Sequence, residues 1–206
     1  MPINLTVRAD VVDITTDTPR DNDVFLVDTN VWFWLTYTRA SASGANAYQT
    51  TVYPNFIQRA LTTKALLSFC GISLAELAGV IEGAERKIHN DRMRTNESLK
   101  YFRHNFPPQR AAVVNEISTA FNQVETMASA MDVVMDGPVT RQALAQIAAT
   151  ATDLEDAVMV AVAAKNGVTQ VITDDCDFAG MPNVTVFTAN QNVVKSAKAQ
   201  GRLKVR

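Results

Sequence analysis

Val24-Phe25-Leu26-Val27-Asp28-Thr29-Asn30-Val31-Trp32 runs four apolar residues into an acid and two small polar residues, after which a second apolar run begins. A short apolar run without polar alternation reads as a strand buried on both faces, as in a parallel sheet. The aromatic stretch Val31–Leu35 then reads as the start of a helix. Three other stretches place an acid similarly: Glu76 in ISLAELAGVIE, Asp156 in TDLEDAVMVAVAAK and Asp175 in VITDDCDF. Asp28, Glu76 and Asp175 lie at or just beyond apolar runs that read as strands, whereas Asp156 opens a helix of small apolar residues. Strand and helix in repeated alternation imply a parallel sheet covered by helices on both faces. Such a sheet binds ligands at the carboxyl ends of its strands, so acids far apart in sequence can converge there. Clustered carboxylates are costly to keep ionised unless a cation occupies the space between them. A divalent metal site is the expectation.

Further strands are expected at Ala65–Ile72, Val168–Thr173 and Val184–Thr188, with a short alternating piece at Asn4–Val12 that suits an edge strand or an arm. Helices are expected from near Pro54, across Val113–Met131 and Val139–Ala149, from Thr152 to Gly167, and over Asn190–Gln200. Residues 1–23 read as an N-terminal arm and 24–206 as a single domain. A charged helical insertion is expected over about 85–135, interrupted by Pro107–Pro108.

Composition narrows the function. A chain of 206 residues suits one sizeable domain, and its 47% apolar and 19% charged residues are those of an ordinary soluble protein. No apolar run approaches the roughly 20 residues that cross a bilayer. The first residues lack the basic start and apolar core of a secretory signal. Two cysteines, Cys70 and Cys176, provide neither a disulfide framework nor metal-ligand spacing, so a reducing cytoplasm is the expected setting. A formal charge of −2 excludes a strongly basic coat but leaves room for a local basic groove.

Each acidic stretch has a plainer competing reading. Asp28, Thr29 and Asn30 are all good helix caps. Glu76 stands three residues after Ser73, the spacing of a capping box, and by itself that reading is favoured. Thr152 and Glu155 form a second such box, which leaves Asp156 unneeded for capping and partly desolvated at a helix mouth. Its metal-ligand reading therefore leads, while Asp153 reads as exposed. One or two of Asp174, Asp175 and Asp177 can serve a turn. The basic stretch from Arg86 to Arg110, with Tyr101, Phe102, His104 and Phe106 interleaved, suits single-stranded nucleic acid. Its candidate contacts are Arg92, Arg94, Lys100 and Arg103. A solvated helix face with Glu85, Asp91 and Glu97 as counter-charges is slightly preferred. The stripe Trp32–Leu35 reads as core.

Taken in order, the DTN of Asp28–Asn30, the LAEL helix of Glu76, the DAxxxAxA helix from Asp156 and the VITxDxDF segment resemble a PIN-domain nuclease. The resemblance implies a Rossmann-like α/β/α sandwich with a central, mostly parallel sheet. It implies an acidic tetrad of Asp28, Glu76, Asp156 and Asp175, both catalytic and metal-binding, with Asn30, Thr173 and Asp177 in support. The VITxDxDF register selects Asp175 over Asp174. The implied activity is cleavage of single-stranded RNA with Mg²⁺ or Mn²⁺. Many small members are toxins of toxin–antitoxin pairs, which makes an antitoxin protein an expected partner. A homo-oligomer is also admitted, and no membrane is expected.

The residues agree independently with that chemistry. Hard oxygen ligands suit Mg²⁺ or Mn²⁺, and a metal-activated water can attack phosphorus in line. A haloacid-dehalogenase-like phosphatase is the enzymatic rival, but it wants a second Asp where Asn30 stands and leaves Glu76 and Asp156 without a role. A non-catalytic PIN-like scaffold binding RNA or protein is the other, and it is disfavoured by the full set of four acids.

Overall fold

The computed structural model describes residues 5–132 and 136–206. Residues 1–4 of the expected arm and 133–135 at the end of the expected insertion lie outside them. The strands are β1 (Asp10–Asp13), β2 (Val24–Val27), β3 (Leu66–Cys70), β4 (Ser129–Met131), β5 (Gln170–Ile172), β6 (Thr185–Thr188) and β7 (Leu203–Lys204). The helices are α1 (Thr29–Thr36), α2 (Gln49–Thr62), α3 (Gly71–Met93), α4 (Leu99–Asn105), α5 (Pro107–Met127), α6 (Gly137–Ala149), α7 (Leu154–Lys165) and α8 (Gln191–Ala199). One sheet takes the order β4-β3-β2-β5-β6-β1-β7, and every pairing in it is parallel. The expected α/β sandwich is what the chain forms.

The strands show why both faces need helices. Phe25 and Val27 of β2 point into one core and Leu26 into the other, because successive strand side chains face opposite ways. β6 repeats this, with Phe187 on one side and Val186 on the other. The first face is covered by α1, α2, α3 and α5; its centre is Phe25, edge-on to Phe187 at 4.8 Å and to Phe56 at 6.0 Å. On the second face, α6, α7 and α8 pack the small residues Ala157, Ala161 and Ala197 close to the sheet. Burying one such Phe contributes roughly 1.5–3 kcal/mol. Gly167, at φ +73°, closes α7 in the left-handed region and turns the chain towards β5.

Two expectations need correcting. The end of the stretch read as an edge strand or arm, Asp10–Val12, belongs to an inner strand, because β7, only two residues long, pairs on its outer side. The stretch read as the end of the helical insertion contains β4, which extends the main sheet beside β3. β1 is flanked by Asp10 and Asp13 and β4 is exposed at Ser129 and Ala130, so neither makes an apolar run, and both are made by the neighbours that they pair with.

The strand order places a switch point between β2 and β5. From β2 the chain proceeds outward through β3 to β4; it then returns to β5 and proceeds the other way to β6. Connections leaving in opposite directions open a crevice at the carboxyl ends of these two strands.

Candidate functional site

A cavity of about 710 Å³ opens there. Asp28, Glu76, Asp153, Asp156 and Asp175 line it, together with Thr29, Asn30, Phe33, Trp34, Ser43–Ala45, Gly79 and Val80. None of these lining residues is cationic. Asp28 directly follows β2, Glu76 stands in the second turn of α3, Asp156 in the first turn of α7, and Asp175 three residues beyond β5. All four tetrad residues thus reach one space from four separate elements.

Local bonding bears on the plainer capping readings. Asp28 takes the N-cap position of α1, yet its side chain caps nothing; it accepts a 2.6 Å hydrogen bond from Thr173 Oγ1. Glu76 does not return to Ser73. Helix α3 begins at Gly71, before Ser73, whose hydroxyl lies 2.9 Å from Met159 Sδ. Glu76 accepts instead from Thr29 Oγ1 at 2.6 Å. The second expected box is displaced by one residue: Asp153 caps α7 by accepting from the Asp156 amide at 2.9 Å. Asp153 is exposed as expected, and it also borders the cavity.

The adjacent aspartates after β5 part ways. The Asp174 carboxylate is buried and accepts from Tyr48 Oη, Tyr53 Oη and Gln49 Nε2 at 2.9, 2.7 and 2.7 Å. Asp175 faces the cavity. Its amide donates to Thr173 Oγ1, and its Oδ1 accepts from the Asp177 amide, both at 2.9 Å. Thr173 therefore touches both Asp28 and the Asp175 backbone. Asp177 holds Asp175 through its main chain, while its side chain borders a second cavity beside Arg8 and Gly180.

Electrostatics follow from this crowding. Burial first, then the neighbouring Asp175 and Glu76, push Asp28 up to about 7, against the opposing Thr173 hydrogen bond. Burial and the charges of Asp28, Asp153, Asp175 and Glu76 push Asp156 up to about 9. Glu76 is raised by burial and by Glu155 and Asp153, with Thr29 opposing. Without a cation, the site is one in which protons compete to neutralise the carboxylates. The donor set fits a hard divalent ion, and the Asn30 Oδ1 beside it is buried with no hydrogen-bond partner. The tetrad is nevertheless spread out. Among the described residues, the three side chains whose ligand atoms lie within 4.8 Å of one another are Asp175, Cys176 and Asp177.

The basic stretch is partly consumed by structure. Arg103 and Arg110 both grip the buried Glu82, Arg110 at 2.6 Å. Glu85, read as a solvated counter-charge, is buried against Tyr37 Oη and Arg39. Phe102 is buried, with His89 and Phe106 packed on it. Lys87, Arg92, Arg94 and Lys100 remain exposed. Sequence reasoning missed Thr29 as a partner of Glu76 and Tyr48 and Tyr53 as partners of Asp174. Both pairings are long-range, and no local spacing announces them.

No family model matches this chain, and no curated protein does. Solved structures similar to it include VapBC2 from Rickettsia felis bound to a DNA fragment from their promoter, with 13% identity over 80% of this chain and 98% of that one, at a TM-score of 0.48. VapC20 of Mycobacterium tuberculosis, a sarcin-ricin loop cleaving toxin, shows 17% identity over 78% of this chain and 98% of that one, at 0.44. FitAcB from Neisseria gonorrhoeae shows 14% identity over 80% and 97%, at 0.38. Beside the PIN-domain resemblance of the motifs, these are likenesses of fold at low identity.

Proposed function

We propose that the protein is a metal-dependent endoribonuclease that hydrolyses phosphodiester bonds of single-stranded RNA. One observation supports this above all: five acids, among them the four of the expected tetrad from four elements, line one cavity that no cationic side chain lines. Asp28, Glu76, Asp156 and Asp175 would hold Mg²⁺ or Mn²⁺, with Asn30 Oδ1 as a further oxygen. When bound, such an ion supplies an acidified water and offsets the phosphate charge. The spacing of the acids suits Mg²⁺, which keeps several of its waters. Thr173 orients Asp28 and fixes the Asp175 backbone, Thr29 orients Glu76, and the Asp177 amide steadies Asp175. A phosphatase of the haloacid-dehalogenase type would leave Glu76 and Asp156 idle in the same cavity.

Exposed Arg92, Arg94 and Lys100 are the candidates for RNA contact, with Arg103 already engaged by Glu82. A toxin role with an antitoxin partner accords with the motif resemblance, and the solved VapBC2 and FitAcB give it a place in the proposal. Among the described residues no helix is long and apolar enough to cross a membrane. The test is cleavage of single-stranded RNA by purified protein with Mg²⁺ or Mn²⁺. EDTA should silence it, and Asp28→Asn or Asp156→Asn should abolish it. Variants that both cut as well as the parent would sink the site assignment, and phosphate release from small phosphomonoesters with RNA untouched would favour the phosphatase.

A further inference from the structure

We propose that the wall of the cavity formed by Trp34 and Gly44, with Lys87 beside the glycine outside the lining, is a nucleotide subsite, taking an unpaired base on Trp34 and a neighbouring phosphate on Lys87. The inference rests on the nuclease reading and deepens it. A cavity of about 710 Å³ far exceeds the space of one ion and its waters, since a water occupies about 30 Å³. Its lining is divided: the acids occupy one part, and Phe33, Trp34 and Val80 supply an apolar part. Of the two tryptophans, Trp32 is fully buried, whereas Trp34 is half-buried and borders the cavity.

The indole is braced. Trp34 lies 5.3 Å, centroid to centroid, from the ring of Tyr53, which is itself fully buried and bonded through its hydroxyl to Asp174. A ring held in this way offers a stacking surface at little cost in side-chain freedom. The cavity is also kept open next to it. Gly44 adopts φ +99°, which disfavours any side chain, and a Cβ added there would stand 3.6 Å from Lys87 Nζ. That distance puts the ammonium group beside the glycine wall. Lys87 is exposed and forms no ion pair among the described residues. Gly79, one turn beyond Glu76, likewise leaves open space. An aromatic face and an acidic centre share one pocket, and an unpaired ammonium stands beside its glycine edge, which matches base, scissile phosphate and flanking phosphate.

Trp34 fluorescence tests this directly, because the other tryptophan is out of reach of ligand. Full-length protein in EDTA and low salt is titrated with a short single-stranded RNA and with an abasic strand of equal length and charge. The RNA should quench the emission and bind about tenfold more tightly than the abasic strand, the size expected for one stacked base. Trp34→Leu should bind both strands alike, and Trp34→Phe should restore most of the preference. Lys87→Gln should lower the salt dependence by about one phosphate contact. Circular dichroism checks that each variant is folded. Equal binding of both strands by the parent, absence of RNA binding, or a preference unchanged in Trp34→Leu would overturn the subsite. Its failure differs from failure of the nuclease reading. In the first case the metal-loaded protein cuts RNA and Trp34→Leu cuts as the parent does; in the second the base preference is present and no RNA is cut.

Discussion

Replacing Asp28 by Asn should abolish cleavage and, in the absence of metal, make the protein more stable at neutral and alkaline pH. Asp28 is only 4% exposed, so solvent screens its charge little. Burial and the surrounding acids raise it from 3.8 to about 7. Each unit corresponds to about 1.4 kcal/mol, so the ionised form costs the metal-free fold about 4 kcal/mol once the pH exceeds 7. The sign follows from proton binding. Below about pH 4 the group is protonated in both folded and unfolded chains and costs nothing. Between about 4 and 7 the folded state retains the proton that the unfolded state loses, so stability falls as pH rises; above 7 the loss levels off.

An Asn side chain keeps an acceptor for Thr173 Oγ1 but brings amide hydrogens that need partners, a constant offset of about 1–3 kcal/mol if they find none. The diagnostic is therefore the slope with pH rather than the level. Urea unfolding in EDTA at pH 4 to 8 should show the variant gaining on the parent by about 4 kcal/mol across that range. Mn²⁺ at 1,000 times its Kd and pH 8 should cancel that gain, because it adds about 4.1 kcal/mol to the protein that binds it. A parent–variant difference that stays flat from pH 4 to 8, or Mn²⁺ stabilising both proteins equally, would refute the reasoning.

Thr173→Val removes the hydroxyl that serves both Asp28 and the Asp175 amide; it should weaken Mn²⁺ binding, read by calorimetry, by about 10–100-fold, as expected for a lost supporting contact. Arg206→Ala strands the buried Asp17 and Asp23, to which the guanidinium bonds at 2.7 and 2.6 Å, and should cost about 3–5 kcal/mol in denaturant unfolding without altering metal affinity. Glu82→Gln deprives Arg103 and Arg110 of their shared carboxylate, so hydrogen exchange should quicken across α4 and the start of α5 while Mn²⁺ binding is unchanged.

Legibility followed the range of the interactions. β2, β5 and β6 are buried on both faces, so their apolar runs stand out in the sequence, and with them the α/β class and the strand ends where Asp28 and Asp175 lie. β1 has only two apolar residues between Asp10 and Asp13, β4 is exposed at two of its three residues and β7 is two residues long, so none of them makes an apolar run and each owes its pairing to neighbours distant in sequence. Both capping boxes were misread for a related reason. Ser73 and Glu76 have the spacing of a box, but β3 runs on to Cys70 and the helix begins directly after it, which puts Ser73 inside the first turn. At Thr152 the cap passed to Asp153 because its carboxylate reaches the Asp156 amide. The tryptophan stripe read as core is core at Trp32 and a cavity wall at Trp34, a difference of helical phase that depends on where α2 packs.

The acids of this protein fall into two sets by how their oxygens are used. Asp174 accepts from three side chains, Glu82 is held by two arginines, Glu85 by Tyr37 and Arg39, and Asp17 and Asp23 by Arg206. Their charges are answered within the fold, so an amide replacement at any of them removes a partner from buried donors and should destabilise. Asp28 and Glu76 each accept one side-chain bond, from Thr173 and Thr29, and Asp175 accepts only a backbone amide. No side chain among the described residues donates to Asp156, the acid driven furthest from its ordinary value. An amide replacement in this second set relieves repulsion and should stabilise the metal-free protein. The same substitution thus acts with opposite sign on two buried aspartates beyond strand ends, Asp174 and Asp28. That sign separates an acid that builds the fold from one held open for a cation.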